Sequence, residues 1–221
     1  MMRWLAPLLP GPQRWTCHDR DEELLAALST SGPVRDSQGG TVAVDIHGCD
    51  LAELAPDEFA GASLITASAL LDILTAADLE RLATVCFTAG CPMLLALSVT
   101  GCVEVRPPDC LDERIRQAFN AHQRRMTGDG RRVLGPDALP AAVALFTDRG
   151  ATVWSARSAW RLRTADRALI DEWLTGWVGA ACAHDPALAR SARNYLHRRI
   201  RAASDGHLDV TVHHRDLLIM P

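Results

Sequence analysis

Residues 75–99 read TAADLERLATVCFTAGCPMLLALSV, which is the pattern of one helix followed by one buried strand. Thr75 and Asp78 have the spacing of a capping box, which predicts that a helix begins there. Gly90 predicts the end of this helix, because glycine readily adopts the left-handed conformation of a C-terminal cap. Residues 93–99 are apolar at nearly every position, as expected of a parallel strand that is covered on both faces. The stretch therefore predicts an α/β protein.

Three short apolar segments upstream each run into an acidic or small polar residue. They cover residues 15–19, 41–50 and 63–68. The first two precede helix-like stretches, so the pattern predicts consecutive β-α units. In an open parallel sheet, ligands bind in the crevice outside the carboxyl ends of the strands. The polar residues that end these segments therefore mark a candidate binding edge.

The second half of the chain alternates predicted helices with two further strands. Helices are predicted over residues 109–126, 136–150, 164–183 and 186–203, and strands over residues 152–156 and 207–213. The economical arrangement is a Rossmann-like fold, with a mixed, mostly parallel sheet that is flanked by helices. We expect a single domain over residues 1–221, with helical insertions at about 109–149 and 164–203.

Composition excludes several classes of protein. The 221 residues are 48% hydrophobic, enough for one substantial core, and carry a formal net charge of −4. This charge gives no general attraction to nucleic acid or to a membrane surface. All 23 basic residues are arginine, so chemistry that depends on lysine is excluded. The seven cysteines include no CxxC pair and no zinc-ligand spacing, so we expect free thiols in a cytoplasmic protein and no metal site.

Four segments together resemble the class I S-adenosylmethionine-dependent methyltransferases, in particular a bacterial branch with a TASALLD segment. These segments are residues 15–21, 50–54, 63–72 and 214–218, and the likeness continues through residues 118–123, 134–138 and 158–162. The resemblance implies S-adenosylmethionine as cofactor and methyl transfer to a small-molecule or peptide-like acceptor bound by the late helices. It leaves the identity of the acceptor and the oligomeric state open.

The family's first strand and its glycine-rich loop have no counterpart in this sequence. They would precede Met1, so the resemblance implies a domain that is incomplete at its N-terminus. That loop holds the methionine carboxylate at a helix N-terminus in the family, and its absence would impair activity. The alternative function is therefore a non-catalytic binding or scaffold protein derived from the same fold.

The resemblance places the nucleoside of the cofactor against two carboxylates. Asp19 stands where the family's carboxylate accepts the two ribose hydroxyls, and Asp50 stands where an acidic residue binds the adenine amino group, with Leu51 near the ring. Both aspartates have a structural alternative as helix caps, Asp19 for the segment that begins at Asp21 and Asp50 for residues 51–54.

Thr66 and Ser68 fall at the end of the family's fourth strand, beneath the methionine part of the cofactor. Asp72 either faces the same crevice or is an exposed residue of a short helix. His122 is a candidate general base, and its alternative is a partly exposed helical histidine. Trp160 and Arg161 either line a pocket, or Trp160 lies in the core and Arg161 on the surface.

An arginine-rich stripe follows one face of the last predicted helix. It contains Arg190, Arg193, His197 and Arg201, with Arg198 and Arg199 nearby. Such a stripe can follow the phosphates of RNA, and its alternative is a solvated helical face. No aromatic residues interleave with it, so we expect no nucleic-acid partner.

Overall fold

The computed structural model describes residues 1–30, 32–128 and 130–221, and the side chain of Ala52 lies outside this description. The chain divides into two compact units, residues 1–62 and residues 63–221, which are described separately. The division does not test the expected single domain, which stays a prediction. Within the described ranges, no helix has the length and apolar character that crossing a bilayer requires.

The first unit is built on one β-α-β segment. Its elements are helix α1 (Met2–Leu5), strand β1 (Arg14–Asp19), helix α2 (Glu22–Thr30) and strand β2 (Ala43–Gly48). Strands β1 and β2 pair in parallel, with Asp19 opposite Gly48. This is the predicted β-α unit, in which a helix connects two parallel neighbours. A small core that includes Met2 and Val42 lies within the unit.

The second unit contains a five-stranded sheet and the longer helices. Its elements are β3 (Ile65–Ser68), α3 (Ala76–Ala89), β4 (Met93–Arg106), α4 (Asp112–Gln123), α5 (Ala138–Asp148), β5 (Thr152–Arg157), β6 (Trp160–Leu162), α6 (Arg167–His184), α7 (Ala189–Ser204) and β7 (Asp209–Met220). The strand order is β3-β4-β7-β5, and β6 also pairs with β7. Strand β3 is parallel to β4, and β7 is antiparallel to its three partners. Only β7 therefore opposes the common direction, which confirms the mixed, mostly parallel sheet.

Helix α3 has the bounds that the capping pattern predicts. The Thr75 hydroxyl accepts the Asp78 N–H at 3.2 Å, and the Asp78 carboxylate accepts the Thr75 N–H at 3.0 Å. Gly90 closes the helix with a φ of +61°. Thr75 and Asp78 thus satisfy backbone groups at the start of the helix. Gly90 turns the chain away at its end.

Strands β4 and β7 are both longer than the sequence predicts. Strand β4 continues past Val99 to Arg106, and its last residues pair with the start of β7. The polar and glycine residues after Val99 are typical of a loop that follows a strand. The strand nevertheless continues, because pairing with β7 satisfies their backbone groups. Strand β6 was missed as a strand because three residues carry too little periodicity.

Helices flank the sheet of the second unit and form its main core. Helices α4, α6 and α7 pack on apolar side chains of β4, β6 and β7, and Leu174 and Tyr195 are fully buried there. Helix α5 contacts β4 and β5 and buries Ala138, Ala142 and Phe146, which are spaced at four-residue steps along one face.

The arginines of helix α7 do not share one environment. Arg190, Arg193 and Arg201 are exposed, as expected of a solvated face. Arg199 is only 4% exposed and donates two hydrogen bonds to Asp112, at 2.6 and 2.7 Å. Arg199 is therefore a structural residue that joins α7 to the start of α4 and is no part of the solvated stripe.

Candidate functional site

The two aspartates predicted to bind the nucleoside lie at the same end of the first unit's sheet. Asp19 is the last residue of β1, and its carbonyl oxygen accepts the N–H of Cys49 at 3.0 Å. Asp50 follows Cys49 directly and therefore leaves β2 beside the end of β1. The Asp19 side chain is exposed and that of Asp50 is 47% exposed. The structure thus places both residues, with exposed or half-exposed side chains, at one end of this sheet, which we call the rim.

The local contacts of these aspartates address the capping alternative. Asp21, and not Asp19, caps α2, because its Oδ1 accepts the N–H groups of Glu23 and Leu24. Asp19 supports the turn before the cap through one bond from the Asp21 N–H, at 3.0 Å. Asp50 directly precedes the short turn Leu51–Glu53, and its N–H donates to the Glu53 carboxylate at 3.1 Å, so its position is that of a cap as the alternative supposes. Its carboxylate also lies 3.7 Å from Arg20 in an exposed ion pair, which contributes little to stability.

A cluster of three rings lies beside Asp19 and was not predicted from the sequence. His18 and His47 stack with centroids 5.4 Å apart, and Phe59 lies 6.0 Å from His18. Burial, and secondarily the neighbouring His47, lowers the pKa of His18, so its imidazole is neutral at pH 7. Cys49 Sγ lies 3.4 Å from His18 Nδ1, but burial raises the pKa of the Cys49 thiol. The cluster therefore offers ring faces and no activated nucleophile.

Two neighbouring residues of the second unit carry backbone strain, one just after β3 and one inside β4. Ser68 is paired with Ala96, and the residue after each of them, Ala69 and Leu97, has a φ of +51° or +55°. The left-handed conformation costs a residue with a side chain about 1–2 kcal/mol. Strained residues of this kind cluster at functional sites. Thr66 is half-buried and Ser68 is exposed at the same strand end.

Asp216 of β7 holds the strained turn of β4 in place. Its Oδ1 accepts the N–H of Leu97 at 2.8 Å and the hydroxyl of Ser158 at 2.6 Å. A bulge interrupts the pairing of β4 with β7 between Leu95 and Ser98, so regular pairing provides no acceptor for the Leu97 N–H. The carboxylate thus replaces a missing ladder bond beside the end of β3, where the sequence predicts a binding edge.

Replacing Asp216 with alanine is expected to lower the free energy of unfolding by about 1–3 kcal/mol, because the Leu97 N–H and the Ser158 hydroxyl lose their acceptor. Urea unfolding followed by circular dichroism measures the change. Asp148→Ala removes an exposed carboxylate of the same unit and is expected to change stability by less than about 0.5 kcal/mol. Equal stability of the two variants would contradict the role of Asp216.

Two further predicted site residues are connected with helix α4, Asp72 by a hydrogen bond and His122 as one of its residues. Asp72 accepts the side-chain N–H of Gln123 at 3.3 Å and is partly buried, and this burial raises its carboxyl pKa. His122 is also partly buried, and burial lowers its pKa, with smaller contributions from the Arg125 and His184 charges. A neutral imidazole can accept a proton, so the predicted role of His122 as a base stays a prediction.

Trp160 lines a cavity of the second unit, whereas Arg161 is exposed. Among the residues that the structure describes, no group of three or more histidine, cysteine or acidic side chains is placed to hold a metal ion.

No protein-family model matches the sequence, and no curated protein matches it. Solved structures do show a distant likeness. The cyclopropane synthase MmaA2 from Mycobacterium tuberculosis is 11% identical with a TM-score of 0.47, over 99% of this chain and 82% of that one. The mycolic acid cyclopropane synthase CmaA1 in complex with SAH and CTAB is 11% identical with a TM-score of 0.42, over 96% and 79% of the two chains. A methyltransferase-like protein from Bacillus halodurans is 11% identical with a TM-score of 0.43, over 98% and 84%.

Proposed function

We propose that this chain is an S-adenosylmethionine-dependent methyltransferase of the class I type that its sequence segments resemble. The observation that carries the proposal is the convergence of Asp19 and Asp50 at the ends of two adjacent parallel strands. The sequence resemblance implies the identity of the cofactor, and the carboxylates at the rim have the chemistry to bind its nucleoside.

The donors and acceptors at this rim fit a nucleoside. Ribose hydroxyls and an adenine amino group are hydrogen-bond donors, and an ionised carboxylate is a pure acceptor. We assign the ribose hydroxyls to Asp19 and the adenine amino group to Asp50. Leu51 is half-buried and gives an apolar contact for the purine ring. Thr66 and Ser68 belong to the second unit, and their role beneath the methionine part stays a prediction of the resemblance.

The chain's own contribution to methyl transfer is orientation and the exclusion of water. When bound, the cofactor supplies an electrophilic methyl group, so the protein needs to provide no covalent nucleophile. The carboxylates at the rim hold the nucleoside in one orientation, because two acceptors fix both its position and its rotation. His122 is the candidate to receive a proton that the acceptor loses, and its neutral state at pH 7 suits that task.

Titration of the chain with S-adenosylhomocysteine in a calorimeter tests the proposal. We expect saturable binding, and we expect Asp19→Ala to weaken it about tenfold or more, since a hydrogen bond to a charged group contributes about 1.5–3 kcal/mol. Asp57→Ala is the matched control, because Asp57 is an exposed carboxylate of the same unit to which the resemblance assigns no role.

The outcomes separate the two candidate functions. Absence of S-adenosylhomocysteine binding by the folded chain would favour the non-catalytic scaffold. Binding that Asp19→Ala and Asp57→Ala leave equally strong would remove Asp19 from the site.

A further inference from the structure

Strand β5 is the outer strand of the second unit's sheet and has one free edge. It pairs with β7 on one side, and no strand of the described ranges pairs with it on the other. Five of its six residues are exposed. A free strand edge presents unpaired backbone N–H and C=O groups, which form a template for pairing with another chain.

The register of β5 against β7 shows which backbone groups face outwards. Directly after β5, the Ser158 N–H donates to the His214 carbonyl at 3.1 Å. Hydrogen-bonded and non-hydrogen-bonded pairs alternate along an antiparallel ladder, so the even-numbered residues of β5 bond to β7. The N–H and C=O groups that face the free edge therefore belong to Val153, Ser155 and Arg157.

This edge is open to a partner strand. Arg215 Nη2 donates to the Ser155 carbonyl at 3.3 Å, but a carbonyl oxygen has two lone pairs and can accept a second hydrogen bond. Proteins commonly protect an edge strand with proline or with several charged residues. Strand β5 has no proline, and its only charged residue is Arg157 at its end.

An apolar patch adjoins the free edge. Trp154 is 54% exposed, and Leu218, which lies opposite it on β7, is 38% exposed. Met220 lies on the same face two residues further along β7 and is 37% exposed. Exposed apolar side chains that adjoin one another are typical of interaction surfaces. The patch and the backbone groups of the edge would be covered by the same partner.

The two ends of this edge carry opposite charges. Arg157 is the last residue of β5, and Asp148 is the last residue of α5, which a short turn joins to β5. Both side chains are exposed, and neither forms an ion pair or a hydrogen bond within the described ranges. A second copy of β5 that runs antiparallel to the first brings each Arg157 toward the other copy's Asp148. The edge is therefore complementary in charge to itself.

We propose that two copies of this chain pair through β5, antiparallel and about a two-fold axis, so that their sheets join into one. The axis passes through the position of Trp154 and places the two indoles opposite each other. Val153 of each copy then exchanges hydrogen bonds with Ser155 of the other. Trp154 occupies a non-hydrogen-bonded position, where side chains lie closest. Aromatic pairs across strands are favourable, which selects this register over its neighbours.

This dimer involves the second unit alone. It depends on no step of the proposed methyl transfer, and both copies contribute the same surface, as a two-fold contact requires. The contact consists of one short strand and a small apolar patch on each side, so it belongs to the small, transient class of interfaces.

Sedimentation of the whole chain at increasing concentration tests the dimer. We expect a monomer–dimer equilibrium with a dissociation constant of about 10–100 μM. Ser155→Pro removes an N–H that faces outwards and leaves every bond to β7, so it should raise this constant about tenfold or more. Ser155→Ala is the matched control, because it retains the N–H and should leave the constant unchanged. Circular dichroism checks that both variants are folded.

Two charge variants test the orientation of the copies. Asp148→Arg places two arginines together at each end of the interface, and Arg157→Asp places two aspartates there. Each variant alone should dimerise about tenfold more weakly, because like charges repel across an interface. An equimolar mixture of the two should dimerise again, since each arginine then meets an aspartate. A variant that failed to fold could not give this recovery.

Three results would overturn the proposal: a monomer at every concentration up to about 300 μM, a dimer that Ser155→Pro leaves unchanged, or no recovery in the mixture. The first would leave the edge to an extended segment of another protein. Failure here is distinct from failure of the proposed function, which the S-adenosylhomocysteine titration reports.

Discussion

Asp112→Ala is expected to lower the free energy of unfolding by about 3–5 kcal/mol, because it leaves a buried guanidinium without its carboxylate. Asp112 accepts two hydrogen bonds from Arg199 and a third from the Tyr195 hydroxyl at 2.7 Å. Arg199 also donates to the Pro107 carbonyl at 2.6 Å and lies 5.1 Å from the Tyr195 ring centroid. These contacts join α7 to the start of α4. At this helix N-terminus the negative charge of Asp112 also interacts favourably with the helix dipole.

A second variant tests whether the loss comes from leaving the Arg199 charge buried and unpaired. Asp112→Leu combined with Arg199→Met removes both charges, and replacing a buried ion pair with apolar residues is often neutral. We expect the double variant to be more stable than Asp112→Ala in urea unfolding followed by circular dichroism. Arg114→Ala, which breaks the exposed pair with Asp185, should cost less than about 1 kcal/mol. A loss at Asp112→Ala as small as the loss at Arg114→Ala would show that the network does not hold the helices together.

The sequence predicted the fold best where local signals and tertiary packing agree. Helix α3 was predicted with its bounds because the capping box and Gly90 act within a few residues of each other. The β-α units upstream were also predicted from local pattern, since strands β1 and β3 each end in polar residues. These signals need no knowledge of distant partners.

The differences arise where the partner is far away in sequence. The extension of β4 to Arg106 depends on β7, more than a hundred residues later, and nothing near Val99 indicates it. Burial of Arg199 has the same origin, because Asp112 neutralises it from another helix. A stripe of arginines therefore predicts a solvated face only until one of its members meets a carboxylate in the core.

The candidate site shows the same division. The common position of Asp19 and Asp50 could be predicted, because polar residues at the ends of consecutive parallel strands meet at one edge. The stacked His18 and His47 were missed because their contact depends on the register of β1 against β2, which the sequence does not state. Likewise, Asn120 and Gln123 line a cavity with Trp173 and Trp177 only because α4 packs beside α6.

Phe146→Ala is expected to lower the free energy of unfolding by about 3–5 kcal/mol, through lost burial and the cavity that it leaves. Phe146 is completely buried and stacks against Phe87 of α3, with ring centroids 6.4 Å apart. Helix α5 buries only small residues along the rest of that face, Ala138 and Ala142. Phe146 is therefore the largest side chain that α5 buries, and its ring joins α5 to α3.

Two companion variants make this prediction specific. Phe146→Leu retains an apolar side chain and should recover a large part of the loss, while Thr147→Ala changes the exposed neighbour and should alter stability by less than about 0.5 kcal/mol. Urea unfolding of the whole chain compares the three. If Phe146→Ala were no more costly than Thr147→Ala, burial of the Phe146 ring would not be what stabilises the packing of α5 in this unit.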